Sequence, residues 1–264
     1  MSYPGWMRYA SLASGSKGNC HAFSDGERIL LLDAGISLLQ IRTRLLALGW
    51  DPGQVRAVAI THEHSDHIQA IPVLLRRTDW CFLATPETKQ AIEAIKGVEI
   101  PAARWLPLRA GHARDWEGWR ILPFSTPHDA VDSVAYRLET GGFGAGLVTD
   151  LGQPTALVED HCQDLDLLVL ESNHDVQMLR EGDYPPLLKA RILSRVGHLS
   201  NEASAELLGR CLSPRLRAVV LAHLSEQNND PELARFAAGE VLRGAAAALH
   251  VATQRSPLAL ADLR

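Results

Sequence analysis

Cysteine is sparse and scattered: Cys20, Cys81, Cys162 and Cys211 form no CxxC pair, which argues against a zinc knuckle or a dithiol redox site. Isolated thiols of this kind fit buried residues in a reducing compartment. No apolar run approaches the roughly 18 residues that a membrane helix needs. The opening MSYPGWMRYASLASG also lacks the basic stretch followed by an apolar one that marks a secretory leader. The expectation is a cytoplasmic protein with no membrane partner. An excess of positive charge is missing too. A net charge of -5 argues against a generally basic surface that binds nucleic acid by counterion release. Any nucleic acid must then lie in a local groove, for which Lys17, Arg76, Arg77, Lys189, Arg191 and Arg195 are the candidate cations. There is no long linker, no repeat at solenoid periods and no low-complexity segment. With 46% hydrophobic and 22% charged residues, 264 positions can bury a sizeable core, and one domain over 1–264 is expected.

What is present begins with strands. Apolar alternation predicts strands over 7–12, 21–24 and 28–33, with Asp25-Gly26 as the turn between the last two. Ser37 then caps a helix whose Leu38, Ile41, Leu45 and Leu48 repeat at helical spacing until Gly49 stops it. A buried strand follows over 55–60, and Thr85-Pro86-Glu87 starts another helix. Further strands are expected over 119–124, 134–138, 145–149, 167–170, 217–222 and 249–252. Helices are expected over 186–195, 201–212 and 231–242. Two halves of mixed strands and helices predict an α/β fold: two packed sheets with helices outside, a four-layer αββα sandwich.

Directly after the strand over 55–60 comes THEHSDHI, with three histidines and two carboxylates in eight positions. Imidazole and carboxylate are ligands for divalent first-row metals, and a loop leaving a strand lets several converge on one cavity. Burying so many polar groups without a metal would be costly. An isolated histidine such as His21, His112, His161 or His250 reads instead as a hydrogen-bonded surface or core residue. His128 in STPHDA, Asp150 in LVTDLG and His223 in VLAHLSEQNN each follow a further apolar strand, as a site at one rim of a sandwich requires.

This set resembles the metallo-β-lactamase superfamily along nearly the whole chain. The resemblance implies that His62, His64 and His128 hold one metal, that Asp66, His67 and His223 hold a second, and that Asp150 bridges them. Two such ions about 3.5 to 4 Å apart can bind one hydroxide between them and steady the oxygens of an in-line displacement. Asp66 would also orient that hydroxide. Glu63 alternates away from the ligands and reads as a residue that supports them from behind or as a structural one. Histidine and carboxylate ligands suit Zn2+ first, with Mn2+ or Fe2+ as alternatives. His64 stands where flavodiiron oxygen reducers carry a carboxylate, which counts against redox chemistry.

VLESNHDVQML and RVGHLSNEASAELL resemble the paired Glu and His loops of tRNase Z-like phosphodiesterases. The matching residues are Glu171, which would orient His198, and His198, which would donate a proton to the leaving alkoxide. The helix starting near Asn201 supports this role, since its dipole disfavours a charged His198. SGSKGNC, THEHSDH, ESNHD and LAHLSEQNN together resemble the WalJ (YycJ) group of bacterial DNA exonucleases or phosphodiesterases. Ser14, Gly15, Ser16, Lys17 and Asn19 would then form a phosphate-cradling loop through backbone N–H groups, and Asn173 and His174 would touch substrate. The chain has no room for a β-CASP insertion and no glycine-rich projecting arm, which argues against tRNA 3′ processing. The leading expectation is a dinuclear metal hydrolase cutting phosphodiester bonds in nucleic acid, DNA before RNA, from an end. The alternative is a small-molecule hydrolase acting on a phosphodiester, lactone or thioester. A catalytically silent scaffold should lack ligands, and none is missing.

Overall fold

A computed structural model describes residues 7–263. The opening MSYPGW, on which part of the reading of the N-terminus rests, lies outside the described residues. The strands are, in chain order, β1 (Met7–Ala13), β2 (Cys20–Ser24), β3 (Ile29–Leu32), β4 (Val55–Ala59), β5 (Cys81–Ala84), β6 (Trp105–Pro107) and β7 (Arg114–Trp116). They continue as β8 (Trp119–Ser125), β9 (Val134–Thr140), β10 (Phe143–Val148), β11 (Leu167–Glu171), β12 (Ala218–Ala222), β13 (Ala248–Val251) and β14 (Leu258–Leu263). They make two seven-stranded sheets, ordered β14-β1-β2-β3-β4-β5-β6 and β13-β12-β11-β10-β9-β8-β7. In each, one half is antiparallel and the other parallel: β3 to β6 run together, as do β10 to β13.

The layering follows from alternation along the strands. In β3, Leu30 and Leu32 face the other sheet and meet Tyr136, Leu147 and Val169 in a central core. Ile29 and Leu31 point the opposite way, onto Ile41 and Leu45 of α1 (Leu38–Ala47). The second sheet repeats this: Leu168 and Leu170 of β11 pack outward on Leu207 and Leu208. Each buried Leu or Ile contributes about 1.5–3 kcal/mol, so β3 and β11 are held from both faces, which is why they read as continuous apolar runs. The result is the αββα sandwich. The outer helices on the first sheet are α1, α2 (Ser65–Ile68), α3 (Ile71–Arg77) and α4 (Pro86–Lys96). On the second they are α5 (Ala156–His161), α8 (Asn201–Cys211) and α9 (Pro231–Val241), while α6 (Val176–Glu181) and α7 (Pro186–Ile192) lie between β11 and α8 in the chain.

Local chemistry sets the element ends. Ser37 and Gln40 exchange side chain to backbone bonds, each 3.2 Å, in a capping box that starts α1. The helix expected over 186–195 stops early, at Ile192. The chain folds back there so that the His198 N–H donates to Ile192 O at 3.0 Å. Only glycine fits at 197, where a Cβ would stand 2.2 Å from that same carbonyl. This reversal places His198 at the rim of the sheets.

Candidate active site

The carboxyl ends of parallel strands carry the chemistry, the usual location of sites in open α/β sheets. Asp33 follows β3, His62 follows β4, Asp150 follows β10, Glu171 ends β11 and His223 follows β12. Asp33, Asp150 and His223 have positive φ of 64°, 59° and 56°. This conformation is uncommon outside glycine, and at such places it turns a side chain back into the rim. The Ser14 hydroxyl accepts the His223 N–H at 2.7 Å and helps hold that turn.

The predicted ligands converge. His62, His64 and His128 present nitrogens within 4.8 Å of one another, and so, in a second cluster, do the ligand atoms of Asp66, His67 and His223. Asp150 lies between, with one oxygen 3.7 Å from His128 Nε2 and the other 3.3 Å from His67 Nε2. His64 Nδ1 stands 3.2 Å from His128 Nε2, and His223 Nε2 3.5 Å from Asp66. Ligands about 2.0–2.1 Å from a tetrahedral ion sit roughly 3.3 Å apart, so these separations match the edges of a coordination tetrahedron.

Four of the five imidazoles are aimed by a bond at the far nitrogen, the usual support for a ligating histidine; for His64 the nearest acid is Asp129, 3.9 Å from its Nε2. His62 Nδ1 meets the Thr61 hydroxyl at 2.9 Å, His67 Nδ1 meets Asp33 at 2.8 Å and His128 Nδ1 meets Gly197 O at 3.1 Å. His223 Nδ1 meets Glu171 at 2.8 Å. The inward atoms His62 Nε2, His223 Nε2 and Asp150 Oδ2 are buried with no hydrogen-bond partner. An orphaned buried polar atom costs about 1–3 kcal/mol, so this donor set fits bound cations.

The electrostatics agree. Burial alone would lower the pKa of His67, yet Asp66, Asp150 and Asp33 outweigh it and raise it well above the ordinary value. Burial would likewise raise Asp150 and Glu171, but neighbouring imidazoles, His223 foremost for Asp150 and His198 for Glu171, hold both carboxyls low. His62 is pushed down by burial, then by His67, His128 and His64. The cluster attracts positive charge at its centre, which a metal supplies in place of protons.

Glu171 is wholly buried and does more than orient one histidine. Its Oε1 is 2.9 Å from His198 Nδ1 and 2.8 Å from His223 Nδ1. It also accepts the N–H groups of Asp150, Leu151 and Leu199 at 3.0–3.2 Å. With Nδ1 committed to this carboxylate, His198 turns Nε2 toward a cleft of about 360 Å³ that Asp66, Asp150 and His223 also line.

Other predicted residues land differently. The N–H groups of Gly15, Lys17, Gly18 and Asn19 donate to Asn19 Oδ1, Gln254 Oε1, Gly15 O and Asp66 O, so they are not free to cradle a phosphate. Asn19 Nδ2 lies 3.1 Å from both Asp66 Oδ2 and His67 Nε2, which makes it a brace for the ligands. Ser14 is buried under His223, and of this loop it is Ser16 that lines the cleft. Lys17 lies outside the cleft, paired with Glu226. Asn173 does line it, and its amide donates to His223 O at 2.8 Å. His174 does not; it is buried with both ring nitrogens unpartnered, and burial lowers its pKa to about 4. Glu63 accepts the Val131 N–H at 2.9 Å, a structural role as expected.

Two acids escaped the sequence reading. Asp33 anchors His67 and accepts the Thr61 N–H at 2.9 Å. Asp129, directly after a ligand in STPHDA, stands 3.5 Å from His128 Nε2 and pairs with Arg191 at the cleft wall. Among the expected groove cations, Arg191 reaches the cleft, whereas Arg77 lines a separate cavity with Arg42 and Arg56.

A metal-binding cluster at the rim of a four-layer αββα sandwich defines a hydrolase of the metallo-β-lactamase fold. The β-lactamase superfamily domain matches residues 28–224, and the chain belongs to that family. It is similar to the exodeoxyribonuclease WalJ of Streptococcus pneumoniae, 37% identical over 231 residues, or 87% of this chain and 86% of the relative. The exodeoxyribonuclease YycJ of Bacillus anthracis is 34% identical over 236 residues, 89% of each chain. Among solved structures, the metallo-β-lactamase fold protein YhfI of Bacillus subtilis superposes with a TM-score of 0.72 at 16% identity. That alignment covers 97% of this chain and 100% of that one, and it speaks to the fold.

Proposed function

We propose that this protein is a dinuclear metal-dependent exonuclease that removes nucleotides from DNA ends. The observation that carries the reading is Glu171, which clamps His198 by its Nδ1 beside the paired ligand clusters. Phosphodiester cleavage expels an alkoxide, a poor leaving group that needs a proton, and His198 Nε2 supplies one at the cleft. The names of the relatives WalJ and YycJ agree with DNA as the substrate.

His62, His64 and His128 would hold one ion, Asp66, His67 and His223 the other, with Asp150 shared. Two divalent ions there, Zn2+ ahead of Mn2+ or Fe2+, lower the pKa of water and neutralise phosphate charge. The remaining work falls to the chain. Asp66, held by Asn19, aligns the attacking oxygen, and the Asp129–Arg191 pair places a guanidinium where a phosphate enters. Four free cysteines, three of them buried, fit a cytoplasmic location. Among the described residues no helix is long and apolar enough to cross a membrane. The candidate ligands come from both sheets, which supports reading residues 1–264 as one domain.

The test is digestion of a duplex labelled separately at each end, by protein loaded with zinc or manganese. Progressive shortening by wild type, abolished in Asp66→Asn, is the expected result. Intact DNA beside hydrolysis of a generic aryl phosphodiester would overturn it in favour of a small-molecule hydrolase.

A further inference from the structure

Three cavities form a connected series that starts at the metal ligands. The catalytic cleft shares Ser16, Tyr184 and Ser225 with a cavity of about 620 Å³. That cavity shares Lys17, Glu226, Gln254 and Arg255 with a third of about 320 Å³, on whose wall Arg44 lies. By contrast, the cavity holding Arg42, Arg56 and Arg77 shares no lining residue with any of them.

The chemistry along the series changes in a repeating way. Tyr184 lines both of the first two spaces and brings an aromatic surface on which a base can stack. The second space adds the apolar surfaces of Leu224, Pro231 and Ala252. The ridge that follows carries Lys17 and Arg255, whose side chains are 70% and 84% exposed. Glu226 sits between these cations and pairs with both, at 3.3 Å to Arg255 Nε. A partly apolar space large enough for a nucleotide, followed by a ridge that carries two cations, matches the alternation of base and phosphate along a nucleic-acid strand. Both spaces fall within the roughly 300–1,000 Å³ of pockets that hold molecules of nucleotide size, and neither has the dimensions of a duplex.

We propose that a single strand leaves the catalytic cleft past Tyr184, fills the second cavity with one nucleotide, and crosses the Lys17–Glu226–Arg255 ridge into the third. This deepens the nuclease reading and rests on it. Glu226 acts as a placeholder: it holds the two cations on the ridge when no strand is bound, and a backbone phosphate takes its place. The ridge therefore makes opposite predictions for its two signs of charge, which a purely structural ion pair would not.

The experiment measures binding of fluorescein-labelled oligothymidylates, one to five nucleotides long, to the full chain carrying Asp66→Asn, by anisotropy. Affinity should rise from one to three nucleotides and then level off. Arg255→Glu should weaken the trinucleotide about tenfold and flatten the salt dependence by roughly 0.7 in log–log slope, the value for one phosphate of a single strand. Glu226→Gln should tighten it about threefold by releasing Lys17 and Arg255. Both positions are at the surface, and circular dichroism checks that the variants fold. Affinity that does not depend on length, or two variants that shift binding in the same direction, would overturn the track. Wild-type cleavage of end-labelled DNA is measured alongside. Length-dependent binding without cleavage would overturn the nuclease reading and leave the track as a binding site, whereas cleavage with flat binding would overturn the track alone.

Discussion

Asp33 shows how much of a site depends on residues that bear no ligand themselves. Its carboxylate fixes the His67 ring, the Thr61 hydroxyl and the Thr61 N–H at once. Asparagine keeps the shape but not the charge, so Asp33→Asn should lower metal affinity by about 10–100-fold, as read by competition with a chromogenic chelator. Unchanged affinity would make Asp33 a spectator. Four of the seven candidate ligands stood out because THEHSDHI concentrates them at one point, while His128, Asp150 and His223 were each placed after a later apolar strand. Asp33 was not legible, since ILLLDAG reads as a strand end, and only the fold brings that end under His67. His21 is a different case. Burial, with His67 and His223 adding to it, lowers its pKa to about 3, and its Nδ1 meets the Tyr9 hydroxyl at 2.8 Å. Folded, it stays neutral; unfolded, it gains a proton below its ordinary value of 6.5. Its stability contribution is thus full above that pH and is lost as pH falls toward 3. Between pH 7 and 5.5 this amounts to about 1 kcal/mol. Urea unfolding at both pH values should show His21→Gln losing less stability than wild type by that amount.

At the scale of elements, three segments interlock to build the ligand cluster. The turn after β1 is held between the turn after β3 and α2: Gly35 N donates to Asn19 O at 2.8 Å, and Asn19 N donates to Asp66 O at 2.7 Å. Gly35 is packed so closely that a Cβ there would stand 1.6 Å from Asp66 O. Gly35→Ala should therefore cost about 3 kcal/mol or more, a fall in thermal midpoint of roughly 6–12 °C, with loss of metal binding. A variant melting like wild type would show that the loops are not coupled. SGSKGNC read alone suggested a phosphate cradle, because glycines leave N–H groups exposed in many such turns. Here Gly15 and Gly18 donate within the loop itself, and Lys17 and Asn19 donate to Gln254 and Asp66 outside it. The early end of α7 was equally hidden, since Pro186 to Arg195 is compatible with helix throughout and only the contact of His198 with Ile192 stops it. The main strands and helices were legible from alternation and caps, as with Ser37 before α1 and Thr85-Pro86 at the start of α4.

For the whole molecule, the sandwich brings together residues as distant as Asp66 and His223, and Glu171 ties the second sheet to the loop that carries His198. That architecture was predictable from two mixed halves, whereas the edge strand β14, which closes the first sheet against β1, was not, because 258–263 is short and has no clear alternation. The proposed reaction turns on His198 as the acid for a poor leaving group. The direct measurement compares wild type and His198→Ala, both loaded with zinc or manganese, on DNA and on a nitrophenyl phosphodiester whose leaving group needs no proton. The variant should lose about 10²–10⁴-fold on DNA and less than about fivefold on the nitrophenyl ester. Equal losses on both substrates would contradict the assignment and reduce His198 to a structural support for the metal cluster.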